Sequence, residues 1–255
     1  MARRIERYGW IPDLPDVRDH LYSAPQPTLQ ALPPSSDLRA GCPPVFDQGD
    51  LGSCTANAIA NAHLFDQMKQ KASAPFTPSR LFIYYNEREI EHSIARDAGA
   101  MIRDGVKSLA KQGVCAERDW PYVAAKFADR PPASCFASAL DHQALSYQRV
   151  LQNLTQMKGC LASGFPFVFG FTVYESFESS QVASTGVVPL PGPDEGVVGG
   201  HAVLAIGYDD ASQRFTVMNS WGPRWGQKGY FTMPYAYLAD PDLAADLWTI
   251  RIVEI

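Results

Sequence analysis

The spacing of apolar positions changes along the chain. "CTANAIANAHLFDQMKQKA", residues 54–72, places Ala, Leu and Met at helical intervals behind Ser53, an N-cap type of residue. "TPSRLFIYYNEREIEHSI" (77–94) opens with Thr-Pro-Ser and predicts a second helix. "MIRDGVKSLAKQGV" (101–114) predicts a third, stopped by Gly113, and "LTQMKGCLASG" (154–164) a shorter fourth ending at Gly164. The period then shortens. "FPFVFGFTVY", "HAVLAIGYDD", "RFTVMNSWG" and "GYFTMPY" are short, rich in β-branched and aromatic residues, and separated by glycine or turn residues, as strands are. Helices first and strands second predict an α+β chain: a mainly helical half over 37–145, a mainly β half over 146–255, and a cleft between them for a site.

Residues 1–36 break both patterns. "GWIPDLPDVRDHLYSAPQPTLQALPPSS" is dense in proline, which removes amide donors and blocks helix interiors, so the stretch predicts an extended arm. Trp10, Leu14, Leu21, Tyr22 and Leu32 are its expected anchors on the body.

Composition narrows the class. With 255 residues, 46% hydrophobic and 11% aromatic, the chain can bury a sizeable core and is not disordered. The net charge of −5 and the lack of a basic block beyond "MARRIERYGW" argue against a nucleic-acid partner. No apolar run is long enough to span a membrane. Charge near the N-terminus is not followed by an apolar stretch, so no standard secretory signal is expected; that leaves a cytoplasmic protein, one exported by another route, or one whose signal has been removed. Five cysteines are too sparse for a disulfide scaffold and include no CxxC pair. The expectation is mostly free thiols, with no metal and no cofactor.

One of those cysteines is placed for chemistry. Cys54 follows "DQGDLGS" at the start of a helix, where the helix dipole favours a thiolate. A nucleophile needs a base, and the base an orienting group. His63 is turned away from Cys54 on the same helix; His20, His92 and His142 lie in the arm or in polar segments. His201 stands apart, at the entrance of an apolar strand in "VVGGHAVLAIGYDD", where Gly199 and Gly200 permit close backbone approach. Downstream, Asn219 in "MNSWGPRWGQKGYF" can fix an imidazole, with the Trp221 indole shielding the bond.

Together "PVFDQGDLGSC", "GGHAVLAIGYDD" and "NSWGPRWGQKGYF" resemble the papain-like cysteine peptidases, over roughly residues 32–235, with "KQGVCAERDWPY" adding to the likeness. The resemblance implies a helical half packed on an antiparallel, barrel-like β half. It implies Cys54 as nucleophile, His201 as acid/base, Asn219 as orienter, and Gln48 as an oxyanion donor with the Cys54 backbone N–H. It further implies that Ala202 lines a substrate side-chain pocket, that Gly99 and Ala100 form a wall pairing with substrate as an added strand, and that Gly200 and Trp221 border the site. Leu51 stands where the family usually carries a cysteine, and Thr55 where it usually carries an aromatic, which suggests a more open wall beside the sulfur. Both departures suggest a divergent, bacterial-type branch.

The expected activity is hydrolysis of peptide bonds in a polypeptide substrate through an acyl-enzyme. Two alternatives stand beside it: another cysteine-dependent acyl-transfer enzyme of the amidase or transglutaminase kind, and an inactive binding protein on the same fold. The arm either packs along the back of the body or crosses the cleft as a propeptide-like, autoinhibitory segment.

Overall fold

The computed structural model describes residues 8–255. The first seven residues, including the basic part of "MARRIERYGW", lie outside the described region. The strands are β1 (Leu21–Tyr22), β2 (Ser35–Asp37), β3 (Ala144–Val150), β4 (Phe167–Tyr174), β5 (Val197–Asp209), β6 (Arg214–Met218), β7 (Tyr230–Pro234) and β8 (Ala244–Val253). The helices are α1 (Gln26–Gln30), α2 (Cys54–Lys69), α3 (Arg80–Ile90), α4 (Ile102–Gln112), α5 (Ala133–Ala139), α6 (Leu154–Ala162), α7 (Ser180–Thr185) and α8 (Tyr235–Ala239).

The strands form one mixed sheet in the order β1-β3-β8-β4-β5-β6-β7, with β2 added to β5. All pairings are antiparallel except β1 on β3. The barrel-like half expected from the sequence is thus an open sheet, because β1 and β7 end the order without pairing to each other.

Alternation along the central strands explains why they read as continuously apolar. Phe167, Phe169 and Phe171 of β4 with Val203 and Ala205 of β5 enter one core, alongside Phe177, Trp225 and Phe231. Val168 of β4 with Ala202, Leu204 and Ile206 of β5 enter the other, alongside α2 and Phe82. Successive strand side chains point to opposite faces, so a strand covered on both sides needs no polar positions.

Helix α2 lies against that second face with Cys54 through Gln67 buried, which is why small residues fill it. Ser53 occupies its N-cap position but makes no side-chain cap; its hydroxyl pairs with the Tyr122 hydroxyl at 2.6 Å and accepts from Asn57 Nδ2 at 3.1 Å. Helix α4 ends where Gly113 takes φ +72°, a conformation that favours glycine. Of the expected arm anchors, Tyr22 is buried and Trp10 and Leu32 are half-buried, but Leu14 and Leu21 are exposed. Leu14 serves through its backbone instead, its carbonyl accepting from Arg103.

Candidate active site

Gln48, Cys54, His201 and Asn219 come from four separate stretches, and the fold buries all four together. The loop before α2 carries Gln48 and runs against the loop after β6. Gln48 N–H donates to Ser220 O at 2.9 Å and Gly222 N–H to Phe46 O at 2.9 Å. The Gln48 side chain is held at both ends: Oε1 accepts from Ser220 Oγ at 2.6 Å, and Nε2 donates to Leu51 O at 2.9 Å.

Strand β5 reaches the N-terminus of α2. The backbone N–H of Ala202, the residue after His201, donates to Cys54 Sγ at 3.3 Å. His201 Nε2 lies 2.8 Å from Asn219 Oδ1. The Ser220 backbone N–H also donates to Asn219 Oδ1, at 2.8 Å, so that atom is an acceptor. His201 Nε2 therefore carries the hydrogen, and in the neutral ring Nδ1 keeps the lone pair. The Trp221 ring stacks on the imidazole with centroids 5.0 Å apart and planes at 28°. Phe171 and Phe177 complete an aromatic cage around it.

The arm crosses this site. Trp10 N–H donates to Gly200 O at 2.9 Å, Ile11 N–H to Ala100 O at 3.0 Å, and Ala100 N–H to Gly9 O at 2.8 Å. Trp10 bridges Ala100 as a short parallel strand. Gly9 lies so close to Gly52 that a Cβ on it would overlap the Gly52 carbonyl. The Tyr8 ring meets His201 edge-on at 6.0 Å, and its hydroxyl donates to Glu178 Oε1 at 2.7 Å.

This cover sets the charge state. Burial pushes the Cys54 thiol up to about 12, against the pull of backbone N–H groups at Ala202, Gly9 and Thr55. Burial pulls His201 down to about 4, opposed by its bond to Asn219. Burial under the arm thus favours the neutral form of both the thiol and the imidazole.

The sequence model of the papain family cysteine proteases matches residues 32–240. The chain belongs to that family. As a papain-family cysteine peptidase it is a hydrolase. It is similar to the solved structure of xylellain, a cysteine protease from Xylella fastidiosa, at 45% identity and a TM-score of 0.92, with 98% of each chain covered. It is 41% identical to an "uncharacterized peptidase C1-like protein" of Acanthamoeba polyphaga mimivirus, covering 96% of this chain and 87% of that one. A cathepsin B-like protein of Giardia intestinalis is 30% identical, covering 82% and 72%.

The two sequence departures in this peptidase acquire physical reasons. Leu51 is buried, and its carbonyl anchors the Gln48 amide. Thr55 does not open a wall beside the sulfur: it is buried on α2, where its hydroxyl donates to Glu87 Oε2 at 2.9 Å. His63 is buried and bonded to Gln67 Nε2 at 3.0 Å, a packing role. Sequence reasoning missed Ser220 and Tyr8. Ser220 lay inside the quoted Asn-Ser-Trp-Gly motif; Tyr8 sits in no recognisable pattern.

Proposed function

We propose that this peptidase cleaves peptide bonds with Cys54 as nucleophile, His201 as acid/base and Asn219 as orienter, and that its N-terminal arm holds it inactive. The observation that carries the reading is the doubly used Asn219 Oδ1, which fixes Nε2 of His201 as a donor and leaves Nδ1 as the base on the strand that touches Cys54 Sγ. In the reaction, His201 Nδ1 takes the thiol proton and Sγ attacks the substrate carbonyl carbon. The oxyanion is met by the Cys54 backbone N–H and the second N–H of the Gln48 amide. The tetrahedral adduct collapses as the C–N bond breaks and His201 gives its proton to the leaving amine. Water, deprotonated by His201, then hydrolyses the thioester.

Autoinhibition is supported by the arm's occupation of backbone that a substrate strand would use: Gly200 O, and both the N–H and the carbonyl of Ala100. The burial that favours the neutral forms of the covered thiol and imidazole points the same way. The test is Cys54→Ala made in a chain carrying Gly9→Ala, whose added methyl group displaces the arm. It should abolish the turnover of a peptide library and the epoxysuccinyl labelling that Gly9→Ala alone shows, with the thermal transition of that chain unchanged; turnover at the rate of Gly9→Ala alone would refute the assignment.

A further inference from the structure

The run "KQGVCAERDWPY" ends on Tyr122, whose ring reaches the loop that carries Gln48 and Cys54. The Tyr122 hydroxyl donates to Gln48 O at 2.7 Å and lies 2.6 Å from Ser53 Oγ. A phenol has one hydrogen and a carbonyl can only accept, so that hydrogen belongs to Gln48 O and Ser53 donates to Tyr122. Ser53 Oγ in turn accepts from Asn57 Nδ2 at 3.1 Å. The Asn57 amide cannot be turned round, because its Oδ1 accepts from Arg80 Nη1 at 3.1 Å and a guanidinium only donates.

Arg80 is itself fixed. Its Nε and Nη2 donate to the two carboxylate oxygens of Glu117 at 2.8 and 2.7 Å, and Nη1 also donates to Asp47 O at 3.2 Å. The guanidinium lies over the Tyr122 ring, 3.9 Å from its centroid. The hydrogen bonds therefore run one way, from Arg80 through Asn57, Ser53 and Tyr122 to the Gln48 carbonyl. Ser53 and Asn57 are fully buried, so breaking this row at any point strands a polar group away from water.

The row bears on both proposed oxyanion donors. The Gln48 backbone is held on two sides, by Tyr122 at its carbonyl and by its N–H on Ser220 O. Ser53 O accepts from Asn57 Nδ2 at 2.8 Å and from the Asn57 N–H at 3.0 Å. That carbonyl shares one planar peptide with the Cys54 N–H, so holding the carbonyl aims the N–H. Tyr122 is the member that joins the two halves.

We propose that Tyr122 is a positioning residue for the oxyanion step: its hydroxyl ties Gln48 to Ser53 and so sets the separation between the Gln48 amide and the Cys54 N–H. This rests on the peptidase reading above.

The test uses the full-length chain carrying Gly9→Ala, with two reagents. A peptide aldehyde adds Sγ to its carbonyl carbon, which places the oxygen where the oxyanion forms. Iodoacetamide is attacked at a methylene carbon, iodide leaves, and no oxyanion forms. Tyr122→Phe keeps the ring on Arg80 and removes the hydroxyl. It should lower kcat and weaken aldehyde binding, each by about tenfold, with KM and the iodoacetamide rate changed less than about twofold. Ser53→Ala, which breaks the row one bond earlier, should do the same, and the double variant should lose no more than the worse single one. An iodoacetamide rate that falls in step with kcat, a raised KM with kcat intact, or multiplying effects of the two variants would overturn the proposal. If iodoacetamide labels Cys54 in the Gly9→Ala chain while no peptide is cleaved and no peptide aldehyde binds, the peptidase reading itself fails and this proposal falls with it.

Discussion

Ser220 N–H and His201 Nε2 share one atom, Asn219 Oδ1, each at 2.8 Å. The backbone donor holds the asparagine side chain whether or not the imidazole is present. Asn219→Ala removes the acceptor of both and should free the ring to turn, while the bonds from Asn219 N–H to Gly229 O and from Gln48 N–H to Ser220 O keep the loop after β6 in place. The expected loss is about 10–100-fold in kcat, the worth of one hydrogen bond to a group that becomes charged during the reaction. Steady-state kinetics with the thermal transition as control checks this; an unchanged kcat would remove Asn219 from the reaction.

Beside the oxyanion role proposed for it, the Gln48 side chain ties Leu51 to Ser220. Gln48→Ala would cut both ties, whereas Gln48→Glu keeps the acceptor for Ser220, loses the bond to the Leu51 carbonyl and puts an acceptor where the amide donor stood. A kcat lower by about 10²–10³ with KM little altered is the outcome expected of an oxyanion donor. A raised KM with kcat intact would mark Gln48 as a substrate-binding residue.

These candidate residues could be picked out from the sequence because the resemblance concentrates them in short runs. Gln48 and Cys54 share one loop, His201 follows two glycines, and Asn219 and Trp221 sit in one tetrapeptide. Helices α2, α3 and α4 and the apolar strands β4 and β5 were legible as well. Strands β3 and β8 were not. Their burial is set by partners far along the chain, such as Tyr147 opposite Ile250, and "ALSYQRV" carries no clean alternation. The anchoring of the arm on Asp246 was out of reach for the same reason: its partners Trp10, Asp13 and Arg149 are all distant from it in sequence.

The arm is also pH-sensitive, through two groups of opposite sign. Burial and the facing Asp246 push Asp13 up to about 6, against donors from the Arg103 backbone and the Trp248 indole. Burial raises Asp246 too, with Arg149 and Arg103 opposing; Asp19 pairs with both arginines. A docked arm thus holds a proton that a free Asp13 has released above about 4, so this contribution to docking is full at low pH and is lost as pH rises through about 6. His201 works the other way. Buried, it rejects a proton that an exposed imidazole takes up below about 6.5, so docking weakens as pH falls from there towards about 4. The two act in opposite directions in the intact chain. Asp13→Asn removes the first and unmasks the second. Hydrogen exchange at the Trp10 amide, corrected for its intrinsic rate, should then quicken about tenfold between about pH 6.5 and 5 in the variant and less than that in the parent. A flat profile in Asp13→Asn would rule out His201 as the acid-sensitive group.

The last prediction turns on the absence of one carbon atom. Gly9 passes the site with its Cα against the Gly52 backbone, and its carbonyl receives the Ala100 N–H. A methyl group there would overlap the Gly52 carbonyl oxygen, which belongs to the rigid turn before α2 and whose own N–H is held by Asp97 at 3.0 Å. Neither backbone can give way cheaply, so the arm must. Gly9→Ala changes no residue of the cleft and leaves the anchoring at Asp13, Asp19 and Tyr22 available. The expected result is an arm that stays attached near Tyr22 yet lifts from Cys54. Water then reaches the thiol and imidazole, and the burial that favours their neutral forms is relieved. Epoxysuccinyl labelling of Cys54 should quicken by at least about tenfold, peptide turnover should rise in parallel, and the thermal transition should fall by only a few degrees, as expected for about 1 kcal/mol of lost docking. If Gly9→Ala labels no faster while hydrogen exchange shows the Trp10 amide released, the crossing segment does not limit access to Cys54 and autoinhibition is excluded.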